Sequence, residues 1–440
     1  MNISGLSFNA LPPINLPFRF FITAPIFMLA SAGLVFFAGE DLWVSRWHPY
    51  MLALTHCFTL GFLTMVMMGA LLQLLPVIAG IGIPKPRLSA SISHLLLALG
   101  CLSLMLSFVL SKTLLTYCAM LCLFTSLGLY LTAIGWVLIK KVSQGDSMTG
   151  FRFAIASLAI TLFIGLALLS NNLGVTILPS DKHITNIHAV WGLLGWAGLL
   201  IVAVSFQVIP MFHVAPSFPK PVMSYLTGVV FLLLILFMAI PSLALPLLFI
   251  SHGIFALSLL WVIKQRKRKI PDTSIRYWQL AASSLLILNV LYFIPDNLFP
   301  EAIAERKTVL LTAIFIYFYL LSVIEGMLLK ILPFLSYTHL QQRCLMDFSA
   351  MQYLPNMHEF LSKAHGRYLF VLHCLAGMSL LIVIVKPSLY PLFGILLILE
   401  FSWLLLLMIR TMRLYFATEK KINREIKQNS QQAQKNSLAV

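Results

Sequence analysis

Few side chains in this 440-residue sequence can do chemistry, and they stand out against apolar surroundings. His56 lies within a long hydrophobic run, His48 stands eight residues earlier, and His188 opens a second run of the same character. A neutral imidazole nitrogen ligates haem iron or copper, and a helical bundle can bring distant ligands to one centre. The competing reading is an imidazole that only hydrogen-bonds between helices. Carboxylates inside apolar runs are rarer still, and Glu325 and Glu400 are the two. A charge in hydrocarbon is costly, so such an acid is protonated or partnered, which makes both residues candidates for handling protons.

Other groups carry weaker signals. Lys330 follows Glu325 by five positions, about 140° around a helix, so the two are poorly placed to pair and Lys330 is expected to reach the cytoplasmic surface. His252 and His373 read more readily as packing residues than as ligands. Met65, Met67 and Met68, with Cys118 and Cys122, offer sulfur that suits Cu(I), although methionine in an apolar chain is mostly packing material. The pattern contains no phosphate-binding glycine loop, no nucleophile elbow and no paired-histidine zinc motif, which leaves hydrolase and nucleotide-driven chemistry without support.

The elements that must position these residues follow from composition. With 60% hydrophobic residues, 10% charged residues and a mean hydropathy of +0.93, most of the chain cannot face water. Apolar stretches long enough to cross a bilayer fall near residues 19–38, 50–79, 89–111, 114–139, 152–178, 187–212, 221–240, 243–264, 276–295, 308–333, 367–387 and 389–410. The expected fold is an all-α polytopic membrane protein of about twelve transmembrane helices. It forms one membrane domain over residues 1–412, with a basic, disordered cytoplasmic tail over 413–440.

Orientation follows from basic residues, which cytoplasmic loops retain. Loops after even-numbered helices hold Lys85, Arg87, Lys140, Lys141, Arg152, Lys220, the run Lys264 to Arg276, Arg343, Lys363 and Arg367, whereas loops after odd-numbered helices hold far fewer. Both termini are therefore expected in the cytoplasm. The net charge of +16 arises from this asymmetry and suits anionic lipid; scattered over many loops, it does not describe a nucleic-acid surface. No cleavable leader is expected, the segment 335–366 is expected to lie at the membrane interface, and the six cysteines show no disulfide spacing.

Three helices end in related signatures. Gly61 to Pro76 reads GFLTMVMMGALLQLLP, Gly195 to Pro210 reads GWAGLLIVAVSFQVIP, and Tyr317 to Pro333 reads YFYLLSVIEGMLLKILP. Gln73 and Gln207 lie 134 positions apart, as do Pro76 and Pro210, and Pro333 follows by 123. This offset predicts a unit used three times, hence a pseudo-threefold bundle. A purely structural account also serves: proline ends a helix, and a polar residue three positions earlier satisfies free carbonyls.

The run Pro17-Phe18-Arg19-Phe20-Phe21, then Trp47-His48, then His56 followed by Gly61, Gly69, Pro76 and Gly80, resembles the opening of the NnrS family of haem- and copper-containing membrane proteins. More broadly, a layout of twelve helices in three arcs with a histidine on helix 2 is similar to subunit I of the haem-copper oxidases. The resemblance implies a bacterial inner-membrane protein with His56 at the haem-ligand position of helix 2. It also implies haem b or copper as cofactor, and a role in respiratory, nitrosative-stress or metal-handling metabolism. The sequence departs from the pattern at Leu54, where the family has the first histidine of a pair, and in residues 308–333 and 221–240, which contain no histidine. A complete oxygen-reducing centre is therefore not expected, and the partner of His56 would be His188, His48, His183 or a methionine. The alternative from another class is a proton-coupled secondary transporter using Glu325 and Glu400, for which two matching six-helix halves would be expected.

Overall fold

A computed structural model gives the fold for residues 12–140, 145–179 and 181–438; Lys141 and the last two residues of the tail lie outside the described residues. Among the described residues there is no strand. Twelve long helices follow one another: α1 (Asn15–Ala38), α2 (Pro49–Ala79), α3 (Pro86–Leu110), α4 (Thr113–Lys140), α5 (Asp146–Asn171), α6 (Lys182–His213), α7 (Lys220–Ala239), α8 (Pro241–Lys264), α9 (Thr273–Phe293), α10 (Lys307–Cys344), α11 (Lys363–Val385) and α12 (Tyr390–Leu438). Among the described residues, eleven helices are long and apolar enough to cross a membrane. The exception is α9, which is long enough at 21 residues but starts with the polar run Thr273, Ser274 and Arg276, followed by Gln279. It packs between α8 and α10 and buries Tyr277, Trp278, Leu285 and Leu288. The protein is thus an all-α, multi-pass membrane bundle.

Three helices form the centre. The apolar windows of α2, α6 and α10 are each 78% buried, against 28–56% for the others. Each of the three also contains an eight-residue π-helical segment: Cys57–Thr64, Trp191–Gly198 and Ile314–Leu321. These segments start 134 and 123 positions apart, the same offsets that separate the proline signatures. Around the centre run the arcs α11–α12–α1–α2, α3–α4–α5–α6 and α7–α8–α9–α10, each a chain of packed neighbours, and α12 against α1 joins the chain's end to its beginning. Trp196 Nε1 donates to Thr64 Oγ1 at 3.0 Å and ties α6 to α2 at their π segments.

The repeated polar residue has one structural job in all three units. Gln73 Nε2 donates to the carbonyl of Pro12 (3.1 Å), Gln207 Nε2 donates to Ser147 Oγ (3.0 Å), and Lys330 donates to Asp272. Pro12, Ser147 and Asp272 stand at the beginnings of α1, α5 and α9. The residue therefore pins each inner helix to the start of the helix before it. Lys330 is part-exposed there and is held by Asp272, in the basic loop before α9, whose Oδ2 also lies 3.8 Å from His213 Nδ1. The signature prolines do not end their helices. Pro76, Pro210 and Pro333 lie inside α2, α6 and α10, which continue to Ala79, His213 and Cys344. Packed neighbours and local adjustment let membrane helices carry proline.

Beyond the bundle the chain departs from expectation. Residues expected to be a disordered tail continue α12 to Leu438. No glycine or proline follows Gly394, and alanine, glutamine, glutamate and lysine recur from Ala417 onwards, all favourable in helices. The segment between α10 and α11 lies along this extension. Arg343 pairs with Glu419 (2.6 Å), Tyr353 Oη donates to Glu425 (3.3 Å), and Asn429 Nδ2 donates to Asp347 (2.7 Å). Of its apolar positions, Phe360 and Leu361 are buried, whereas Met357 is exposed.

Asn429 and then Ser349 donate to the Asp347 carboxylate and hold it below its ordinary value of 3.8. A carboxyl lowered in the folded state stabilises the fold fully above its unfolded value and loses that contribution as pH falls through the folded one. Hydrogen-exchange protection factors around Asn429 should stay constant from neutral pH down to about 3.8 and decline below it. A decline beginning near neutral pH would exclude Asp347 as the cause.

Candidate functional site

His56 closes the first α-helical stretch of α2, immediately before its π segment, and His188 stands three positions before that of α6. Wide π turns are frequent at functional sites. His56 Nδ1 donates to the carbonyl of Leu52 at 2.8 Å, and His188 Nδ1 to that of Thr161 at 3.2 Å. A carbonyl can only accept, so in each neutral ring Nδ1 carries the proton and Nε2 keeps a free lone pair. The ring centres are 6.3 Å apart and the ring planes differ by 22°. Both rings are partly exposed. Phe108 of α3 flanks His56 at 5.4 Å, and α5 approaches His188 through Gly165, where a Cβ would come within 2.8 Å of the imidazole. Two imidazoles from different repeats, each fixed by a backbone carbonyl, are thus brought together.

The remaining histidines are placed elsewhere. His48 caps the beginning of α2, two turns from His56, with its ring 5.7 Å from that of Tyr50 and its buried Nδ1 without a partner. His183 is exposed. His252 Nδ1 bonds to the carbonyl of Leu248, while its buried Nε2 has no partner beside Gly198. Cys118 and Cys122 are half-buried on α4. A cavity of about 130 Å³ between α2, α6 and α10 is lined by apolar residues such as Leu71, Val204 and Met327, and by neither His56 nor His188.

The second constellation lies in the middle of the bundle. Glu325 of α10, His373 of α11 and Glu400 of α12 are completely buried. Oxygen and nitrogen ligand atoms from all three lie within 4.8 Å of one another. His373 Nδ1 is 2.7 Å from Glu400 Oε1 and 3.5 Å from Glu325 Oε2. Tyr277 Oη of α9 donates to Glu325 Oε2 at 2.8 Å, and Tyr317, within the π segment of α10, donates to Glu400 Oε2. The Tyr317 ring stacks on His373 at 4.9 Å. Ser322 Oγ lies 2.7 Å from His373 Nε2, and Glu325 Oε1 is buried with no hydrogen-bond partner.

Sequence reasoning selected Glu325 and Glu400 separately, and treated His373 as packing. It did not find Tyr277, Tyr317 or Ser322. Tyr317 and Ser322 stand inside the third repeat signature, where polar residues in an otherwise apolar motif were the one signal to follow. No protein-family model matches this chain, and no curated protein matches it.

Proposed function

We propose that this protein is of the NnrS-like, haem-copper oxidase subunit I-like type and binds haem b or copper near the periplasmic side of a bacterial inner membrane. On this reading both termini are cytoplasmic, and the protein acts in respiratory, nitrosative-stress or metal-handling metabolism without a complete oxygen-reducing centre. The observation that supports it is the facing pair His56 and His188, drawn from two repeats, each with Nδ1 bound to a backbone carbonyl and Nε2 left free. The 134-residue offset relates His188 to Leu54, so the second repeat supplies an imidazole at the position where helix 2 lacks one.

This donor set fits the chemistry: imidazole suits both copper and haem iron, and a hydrogen bond from the far ring nitrogen is the usual means of orienting such ligands. Either group, when bound, would supply one-electron chemistry. The chain's own contribution is to hold the two rings in register through α2 and α6 and to flank His56 with Phe108.

Absorbance spectra and metal analysis of the detergent-purified protein test the reading. Wild type should carry a Soret band or bound copper, and His56→Ala and His188→Ala should each lower the occupancy at least about tenfold. A colourless, copper-free preparation would overturn it. Proton-coupled secondary transport draws on the burial of Glu325 and Glu400. The recurrence of π segments every 123 to 134 residues favours three arcs over the two halves common in transporters.

A further inference from the structure

We infer that Glu325, His373 and Glu400 form a binding site for one divalent first-row cation of the zinc or manganese kind in the middle of the bundle, separate from the His56–His188 pair.

The hydrogen bonds around His373 lead to this. Ser322 Oγ donates to the carbonyl of Tyr317 at 3.4 Å, so the same hydroxyl is free to accept from His373 Nε2, 2.7 Å away. With its proton on Nε2, the imidazole turns the lone pair of Nδ1 towards Glu400 Oε1 at 2.7 Å and Glu325 Oε2 at 3.5 Å. A nitrogen lone pair and carboxylate oxygens at these separations repel unless a proton or a cation lies between them. Tetrahedral ligands about 2.0–2.1 Å from zinc stand roughly 3.3 Å from each other, and the two observed separations bracket that value.

The surroundings are arranged as an outer shell. Each of the three groups has one donor or acceptor behind it: Tyr277 on Glu325, Tyr317 on Glu400 and Ser322 on His373. Such partners orient ligands and tune a metal. Glu325 Oε1 is buried and receives no hydrogen bond from a neighbouring N–H or hydroxyl, which leaves an acceptor open to a cation or to the Glu400 carboxyl beside it.

Charge points the same way. Two carboxylates are fully buried, and among the described residues no lysine or arginine forms an ion pair with them. Neutralising the cluster takes two protons or one divalent ion, and the ion matches both acids at once in a membrane interior that disfavours net charge. Two oxygens and one imidazole nitrogen suit Zn²⁺, Mn²⁺ or Fe²⁺, and the absence of sulfur from the set disfavours Cu(I).

The test uses the full-length protein in detergent, treated with chelator and re-equilibrated with Zn²⁺ or Mn²⁺ alone. Elemental analysis after desalting should find about one equivalent of one of these ions per chain, and the same ion should raise the thermal midpoint of the wild type. Glu325→Gln, His373→Asn and Glu400→Gln should each reduce occupancy at least about tenfold, while His56→Ala should leave it unchanged. A wild type that retains neither ion and whose midpoint neither ion moves would overturn the site, as would variants that bind like the wild type. If the three variants fail to fold, the two wild-type measurements alone decide. Haem and copper contents are read on the same samples, so a failure at His56 is distinguishable from a failure here.

Discussion

His373→Ala lowers the stability of the bundle by about 3–5 kcal/mol, the cost of breaking a buried hydrogen-bonded network by removing one member. The imidazole is 0% exposed and touches both Glu325 and Glu400; alanine leaves the two acids facing each other across a void. Loss of the ring adds a cavity term of its own. The midpoint of thermal unfolding in detergent, with metal withheld by chelator, measures the effect. A second variant gives the prediction its sign: His373→Leu combined with Glu325→Leu and Glu400→Leu should recover most of the loss, because apolar replacement of an entire buried ionic cluster is often neutral or stabilising. A single substitution that unfolds at the wild-type midpoint would show that the cluster carries no such network.

Gly326→Ala should cost about 1–3 kcal/mol, the usual result of adding volume to a tightly packed core. A Cβ on residue 326 would stand 2.6 Å from Tyr277 Cβ, an atom next to the backbone that cannot swing aside. To make room, α9 must move away from α10, and Tyr277 then loses its bond to Glu325. Gly33→Ala in α1 is the control. Nothing lies within 4 Å of its new methyl group, so the backbone benefit of about 0.5–1 kcal/mol should appear unopposed. Equal midpoints for the two variants would contradict the close approach of α9 and α10.

Much of this fold is legible in the residues because membrane helices announce themselves by length and apolarity. The threefold plan is legible too: the offsets of 134 and 123 between Gln73, Gln207 and Lys330 recur in the three-dimensional structure as offsets between π segments and as one repeated hydrogen-bonding job. What pattern could not convey was helix phase. Nothing in the run from Cys57 to Thr64 distinguishes five-residue from four-residue hydrogen bonding, and Pro333 reads as a stop although α10 runs on to Cys344. The tail misled for another reason. Its polar composition lacks a hydrophobic period, yet its helix is supported by partners such as Arg343 and Asp347 that sit some 80 residues away.

The site divides similarly. Glu325 and Glu400 stood out because an acid in hydrocarbon is expensive. His373 did not, because one imidazole in an apolar helix reads the same whether it packs or ligates. Only the meeting of α10, α11 and α12 joins the three. His188 was legible as a candidate companion of His56 but not as the chosen one; His48, nearer in sequence, projects from the start of the same helix and cannot fold back onto it.

The wide turns at 57–64, 191–198 and 314–321 bear on how this chain tolerates deletion. Each holds extra backbone relative to an ordinary turn, and every residue removed re-phases all that follows by about 100°. Trimming one amino acid from the first of them would swing Gln73 away from Pro12, and trimming one from the last would carry Glu325 out of reach of its companions. The three inner helices should therefore accept point changes far more readily than changes in length, while the connections between outer helices should show the reverse.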